Sequence, residues 1–203
     1  MQMENVVSGV SRESLLTLES YARQRADFRA RVIAHRRPRT VHVGPHVTLI
    51  FEDELTVRYQ IQEMLRIERI FDEQAIQAEV DVYSPLVPDG SNLKATMLIE
   101  FEDPVQRQIE LARLKGIERR VYMQAADLPK VFAVADEDLE RENDTKTSSV
   151  HFLRFEFDAR AIAAFRSASP VALGIDHPHY QQRIEALAPE SASALARDFA
   201  LAA

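Results

Sequence analysis

The stretch from Val41 to Phe51 alternates apolar and polar residues around Gly44-Pro45-His46, and this hairpin narrows the possible folds most. A three-residue turn keeps Val41, Val43, Val47, Leu49 and Phe51 on one pleated face, whereas a two-residue turn would flip half of them. His42, Thr48, Ile50 and Glu52 then share the other face, with His46 at the tip.

The flanking segments carry helical spacing. From Ser11 to His35, Leu15, Leu18, Ala22, Phe28 and Val32 recur every three to four positions, with Ser11 or Ser14 as cap and Pro38 as stop. Asp53 caps an expected helix over Glu54–Phe71, and a short helix follows over Asp72–Val80. Beyond the turn signals Pro85 and Pro88-Asp89-Gly90, Leu93–Phe101 alternates as a strand. Pro104 opens a helix that runs to Lys115 and ends at Gly116. Arg120–Gln124 and Val131–Ala135 read as a hairpin pair, and residues 136–149 as a polar connection. Val150–Phe157 is a strand, Ala159–Arg166 a helix and Val171–Asp176 a strand. The Ala-rich tail from Glu190 to Ala203 reads as a weakly amphipathic helix, and segments 1–10 and 190–203 are expected to be loosely ordered.

This order is neither a strict βαβ alternation nor an all-β spacing. It predicts one α+β domain over residues 1–203, an antiparallel or mixed sheet of about six to seven strands with helices packed mainly on one face. Of the 203 residues, 46% are hydrophobic and 28% charged, which separates the chain from disordered sequences. The absence of cysteine excludes disulfides, thiolate-ligated metals, an iron–sulfur cluster of the chain's own and a cysteine nucleophile. No window approaches the ~18 apolar residues of a membrane helix, and Met1–Ser20 carries no export leader, so a cytoplasmic protein without membrane contact is expected.

Net charge is −7, which argues against nucleic acid as a main partner. Residues 1–43 hold eight arginines against four acids, a net of +4 that leaves −11 elsewhere. Such asymmetry marks either an anion-binding arm or a basic helix laid on an acidic body. Arg25 and Arg29, one helical turn apart, and Arg36 are the anion-binding candidates.

Four residues are candidates for catalysis. Glu68 falls within the stripe Val57, Ile61, Met64, Leu65 and Phe71 at 100° per residue, and a carboxylate facing a core needs a partner. Tyr59, Gln62, Glu63, Arg66 and Arg69 fall on the opposite, expectedly solvated face. His151 alternates with Leu153, Phe155 and Phe157, so it points inward as Glu68 does. A Glu68–His151 pair would fix one imidazole tautomer for acid–base work or metal ligation. Asp176 and His177 end the last expected strand, with side chains pointing opposite ways. No phosphate-binding glycine loop, serine elbow or HExxH helix occurs.

The stretches YARQRADFRARVIAHRR, HVGPHVTLIFEDELTVRYQIQEMLRIERIF, LVPDGSNLKATMLIEF, ADEDLEREN, KTSSVHFLRFEF and GIDHPHY resemble the bacterial domain-of-unknown-function family three-five-zero-one, from about Leu15 to Tyr180. The family brings no catalytic residues with it. Its members are often encoded beside rubrerythrin and an iron–sulfur oxidoreductase, so the resemblance implies a redox or peroxide-defence setting with one of these as partner. Two readings follow: an accessory, partner-binding protein with an apolar-edged contact surface, or a metal- or anion-binding enzyme with a Glu/His pocket.

Overall fold

A computed structural model describes residues 9–137, 141 and 145–199. The chain is α+β, and its strands divide between two antiparallel sheets instead of forming one. The hairpin forms as its alternation requires: β1 (Thr40–His42) pairs with β2 (Val47–Glu52) in the register Val41↔Leu49 and His42↔Thr48. Gly44 turns with φ +76°, and a Cβ there would lie 2.7 Å from the Tyr180 hydroxyl, so the tip admits glycine alone.

β3 (Asn92–Ile99) continues the sheet beside β2, β7 (Val150–Glu156) follows, and the two-residue β6 (Val134–Ala135) closes the edge. The second sheet orders β5 (Val131–Phe132), β4 (Val121–Ala125), β8 (Val171–His177) and β9 (Tyr180–Ile184). Residues 131–135, expected as one strand, split at Ala133: Phe132 pairs with Tyr122 in one sheet and Val134 with Arg154 in the other. This crossing joins the sheets. The main core lies between their inner faces, where Leu49, Phe51, Leu93, Met97 and Phe155 meet Val121, Met123, Leu173 and Ile175.

A second, smaller core holds the helices. α2 (Glu54–Glu68) begins at Asp53, whose carboxylate accepts from Thr56 N–H while the Thr56 hydroxyl accepts from Asp53 N–H. Its stripe Val57, Ile61 and Leu65 packs with Ile76 and Val80 of α3 (Glu73–Tyr83) and with Val10 and Leu15. α1 (Leu18–Arg36) is capped by Thr17, three residues beyond Ser14 and six beyond Ser11, because the two serines bracket a 3-10 turn (Arg12–Ser14) instead. α1 lies on the α2 face expected to be solvated. Gln62 is buried there, and the rings of Phe28 and Tyr59 lie 5.8 Å apart.

α4 (Pro104–Arg113) connects β3 to β4, and α5 (Ala159–Arg166) connects β7 to β8. The tail is docked over its described part. α6 (Pro189–Ala196) forms, Leu195 and Phe199 enter the main core, and the Phe199 ring packs edge-on against Phe157 and Phe165. That corrects the expectation of a loose C-terminus, and Val10 in the second core corrects it for the last of residues 1–10. Residues 1–8 and 200–203, and most of the polar connection (138–140 and 142–144), lie outside the described residues. Among the described residues no helix is long and apolar enough to cross a membrane.

Candidate functional site

Glu68 and His151 do not meet. Glu68 is the last residue of α2, and it is exposed. The helix ends because Arg69 turns left-handed (φ 56°) and Ile70 N–H bonds back to Leu65 C=O. Glu68 keeps the angular position of the stripe, but the second core stops at Leu65, so no apolar wall covers it. Its charge is instead felt by Glu79 of α3, which burial first, and then Glu68, raise above the usual carboxylate range. Phe71, read as part of the same stripe, is likewise exposed.

His151 does point into the core, fully buried beside Leu153 and Phe155, and it does have a carboxylate. That carboxylate is Asp136, at 2.6 Å from Nδ1. Its Nδ1–H donates to Asp136, and Nε2 lies 3.0 Å from both Thr147 Oγ1 and the Ser148 carbonyl oxygen. Asp136 also accepts from Phe152 N–H at 3.2 Å and faces Arg141 at 3.3 Å. The pair therefore fastens the polar connection to β7. Both ring nitrogens are engaged, and the imidazole has no open side.

Asp176 and His177 point to opposite faces of β8, as strand geometry requires. Asp176 is exposed, 3.5 Å from Lys130. His177 is buried, donates through Nε2 to Lys115 C=O at 3.1 Å and accepts His179 N–H on Nδ1 at 3.2 Å. The four catalytic candidates are thus dispersed. Among the described residues, no group of three or more His, Asp or Glu side chains could hold a metal ion.

The basic first helix finds its counter-charges inside the chain. Arg25 grips Glu63 through two bonds, 2.7 and 2.8 Å. Glu63 also accepts from the Tyr21 hydroxyl at 2.6 Å and from Arg66. Arg25 above all, with Tyr21 and Arg66, holds the Glu63 carboxyl down to about 2 against the opposing effect of burial. Arg36 lies 3.8 Å from buried Glu52 and 6.0 Å over the Tyr59 ring. Arg29 is exposed.

The densest polar cluster centres on Arg39, one of the eight arginines of residues 1–43. Its side chain is 2% exposed. Nε donates to Phe51 C=O and Nη2 to Glu52 C=O, both at 3.0 Å, while Nη1 reaches Ala194 C=O at 3.4 Å. Both Nη atoms bond Asp198, and Asp53 stands 3.5 Å away, itself joined to His35 Nε2. Burial pushes the Asp198 carboxyl up to about 6, against the pull of Arg39. Burial acts the same way on Asp53, but Arg39, His35 and Thr56 outweigh it and hold that carboxyl below its usual range. The cluster ties the end of α1, the start of α2 and the C-terminal turn together. Nothing in the sequence links Arg39 to a partner 159 positions away.

The surface offers more than these interior groups. On α4, Val105 (67% exposed) and Ile109 (55%) stand one turn apart with Ala112, while the helix buries only Leu111. Beside it lies a shallow polar basin of about 720 Å³, lined by Phe101, Gln106 and Arg107 among others. His46 stacks on Phe101 at 4.0 Å and holds Glu100 C=O through Nδ1 at 3.0 Å.

A search of the curated proteins finds no match. The chain is similar to a solved structure described as a novel protein of unknown function from Burkholderia pseudomallei K96243. The two are 54% identical over 95% of this chain and 100% of that one, with a TM-score of 0.90. The model of the family described as "Protein of unknown function (DUF3501)" matches residues 9–199. By that match, across nearly its whole length, the chain belongs to the DUF3501 family.

Proposed function

We propose that this protein is a cytoplasmic, non-catalytic accessory protein that binds another protein through the outer face of α4. The observation that carries the reading is the stripe of Val105, Ile109 and Ala112, directed at water on a helix whose first six residues are all exposed. An amphipathic helix ordinarily turns its apolar face to the core, and a stripe turned outward marks a contact surface. The interior groups favour the same reading, because His151, His177, Arg25 and Arg39 have their polar atoms committed to the protein itself. The family resemblance supplies the setting, a redox or peroxide-defence system with rubrerythrin or the iron–sulfur oxidoreductase as partner.

Covering Val105 and Ile109 stabilises a complex by roughly 2 kcal/mol, about thirtyfold in affinity. Titration calorimetry of the purified chain with each of the two candidate proteins tests this. Saturable binding to one of them, weakened about thirtyfold by the pair Val105→Glu and Ile109→Glu, is the expected result. Absence of binding to both contradicts the redox setting, and binding indifferent to the pair contradicts the α4 face.

A further inference from the structure

On the outer face of the larger sheet, Glu52, Lys94 and Arg154 form a row across β2, β3 and β7. Two members of the row are satisfied. Glu52 accepts from the hydroxyls of Thr56 at 2.6 Å and Thr96 at 2.8 Å, and Arg154 grips Glu137 through bonds of 2.8 and 2.9 Å. Lys94 is not. Among the described residues its ammonium has neither a hydrogen-bond acceptor nor an ion-pair partner. The acids nearest in electrostatic terms, Asp89, Glu137 and Glu156, are already engaged. Asp89 takes the Ser91 amide and hydroxyl, and the other two take Arg154.

Above this row lies a cleft of about 260 Å³. Val82, Tyr83 and Leu86 form its roof, and Lys94, Phe152 and Arg154 its floor. A largely apolar hollow with a few charged groups is the usual form of a small-ligand site, and here Arg154 and Glu137 are paired with each other while Lys94 is not paired among the described residues. We propose that this cleft binds a small amphipathic monocarboxylate, its anion on Lys94 Nζ and its hydrocarbon body against Tyr83, Leu86 and Phe152. A single open ammonium matches one negative charge, and Glu137 at the rim opposes a second. Burial, with Arg154 beside it, lowers the Lys94 ammonium from its usual value, the state that an incoming carboxylate relieves. This site is separate from the α4 face and stands or falls independently of it.

The probe is octanoate, titrated calorimetrically into the full chain at neutral pH, with octanol and acetate as the apolar and charged halves. Saturable one-site binding of octanoate is expected, with octanol about tenfold weaker or more and acetate undetected. Lys94→Met removes the anion's partner, and Val82→Glu places a like charge at a position 66% exposed, where the fold does not depend on valine. Each variant weakens octanoate by about tenfold or more while keeping the wild-type circular dichroism spectrum. Unsaturable octanoate, octanol binding equal to octanoate, or unchanged octanoate binding by both variants overturns the proposal.

Discussion

Replacing Arg39 by Met isolates what the buried cluster contributes. The thioether chain fills most of the volume but supplies no donor. Asp198 and Asp53 lose their shared cation, and the carbonyls of Phe51, Glu52 and Ala194 lose a donor. Removing one partner of a buried ion pair costs about 3–5 kcal/mol, because the remaining charge is left in low dielectric. For a chain of 203 residues each kcal/mol shifts Tm by roughly 2–4 °C, so Arg39→Met lowers Tm by about 6–20 °C at pH 7.5. The loss depends on pH in a defined direction. Burial pushes the folded Asp198 carboxyl up to about 6, above the ordinary aspartate value of 3.8, so the native state takes up this proton before the unfolded chain does as pH falls. At pH 5 Asp198 is largely neutral, and the variant regains part of its deficit. Arg39→Met with Asp198→Asn regains it at both pH values. Differential scanning calorimetry at the two pH values reads all three. A shift below about 3 °C at pH 7.5, or one equally large at pH 5, refutes the view that Arg39 neutralises a buried carboxylate.

Gly174→Ala places a Cβ 2.5 Å from the Tyr122 hydroxyl and 2.6 Å from its Cζ. That ring is held by Lys130 at 4.0 Å and by Arg183, which donates to the hydroxyl at 3.1 Å, so a loss of about 1–3 kcal/mol in urea unfolding is expected. Glu68→Gln changes stability by no more than about 0.5 kcal/mol, because the side chain is exposed; a larger loss would mean that it is a buried functional carboxylate after all. Glu63, held at about 2 against 4.5 unfolded, stabilises fully above pH 4.5, and its contribution is lost as pH falls toward 2. Acid titrations of wild type and Glu63→Gln should therefore differ most above pH 4.5 and converge only as pH approaches 2.

Local chemistry made much of the fold legible. The hairpin register, the Asp53 cap and the inward face of His151 each follow from alternation or from a cap a few residues long. Periodicity states which way a side chain points, not what lies there. Glu68 holds the angular position of an apolar residue yet extends past the last packed turn. His151 has the carboxylate partner its chemistry requires, but Asp136 sits in a polar run with no periodicity to single it out. β9, with three exposed polar residues at its centre, carries no apolar alternation, and the change of sheet at Ala133 leaves no mark on the pattern. The charge asymmetry was the better guide, since it allowed for a basic helix on an acidic body, and Arg25 on Glu63 and Arg36 beside Glu52 realise it.

The α4 contact face is tested most directly by amide hydrogen exchange on the chain alone and saturated with rubrerythrin or the iron–sulfur oxidoreductase, whichever binds. Residues 104–113 expose one side of a short helix that buries only Leu111, so their amides exchange readily in the isolated protein. Binding is predicted to slow exchange across 104–113 and at His46 and Phe101 beside it, leaving β8 and β9 unchanged. A complex that leaves 104–113 unprotected, or shields the outer face of β8 and β9 instead, contradicts the account.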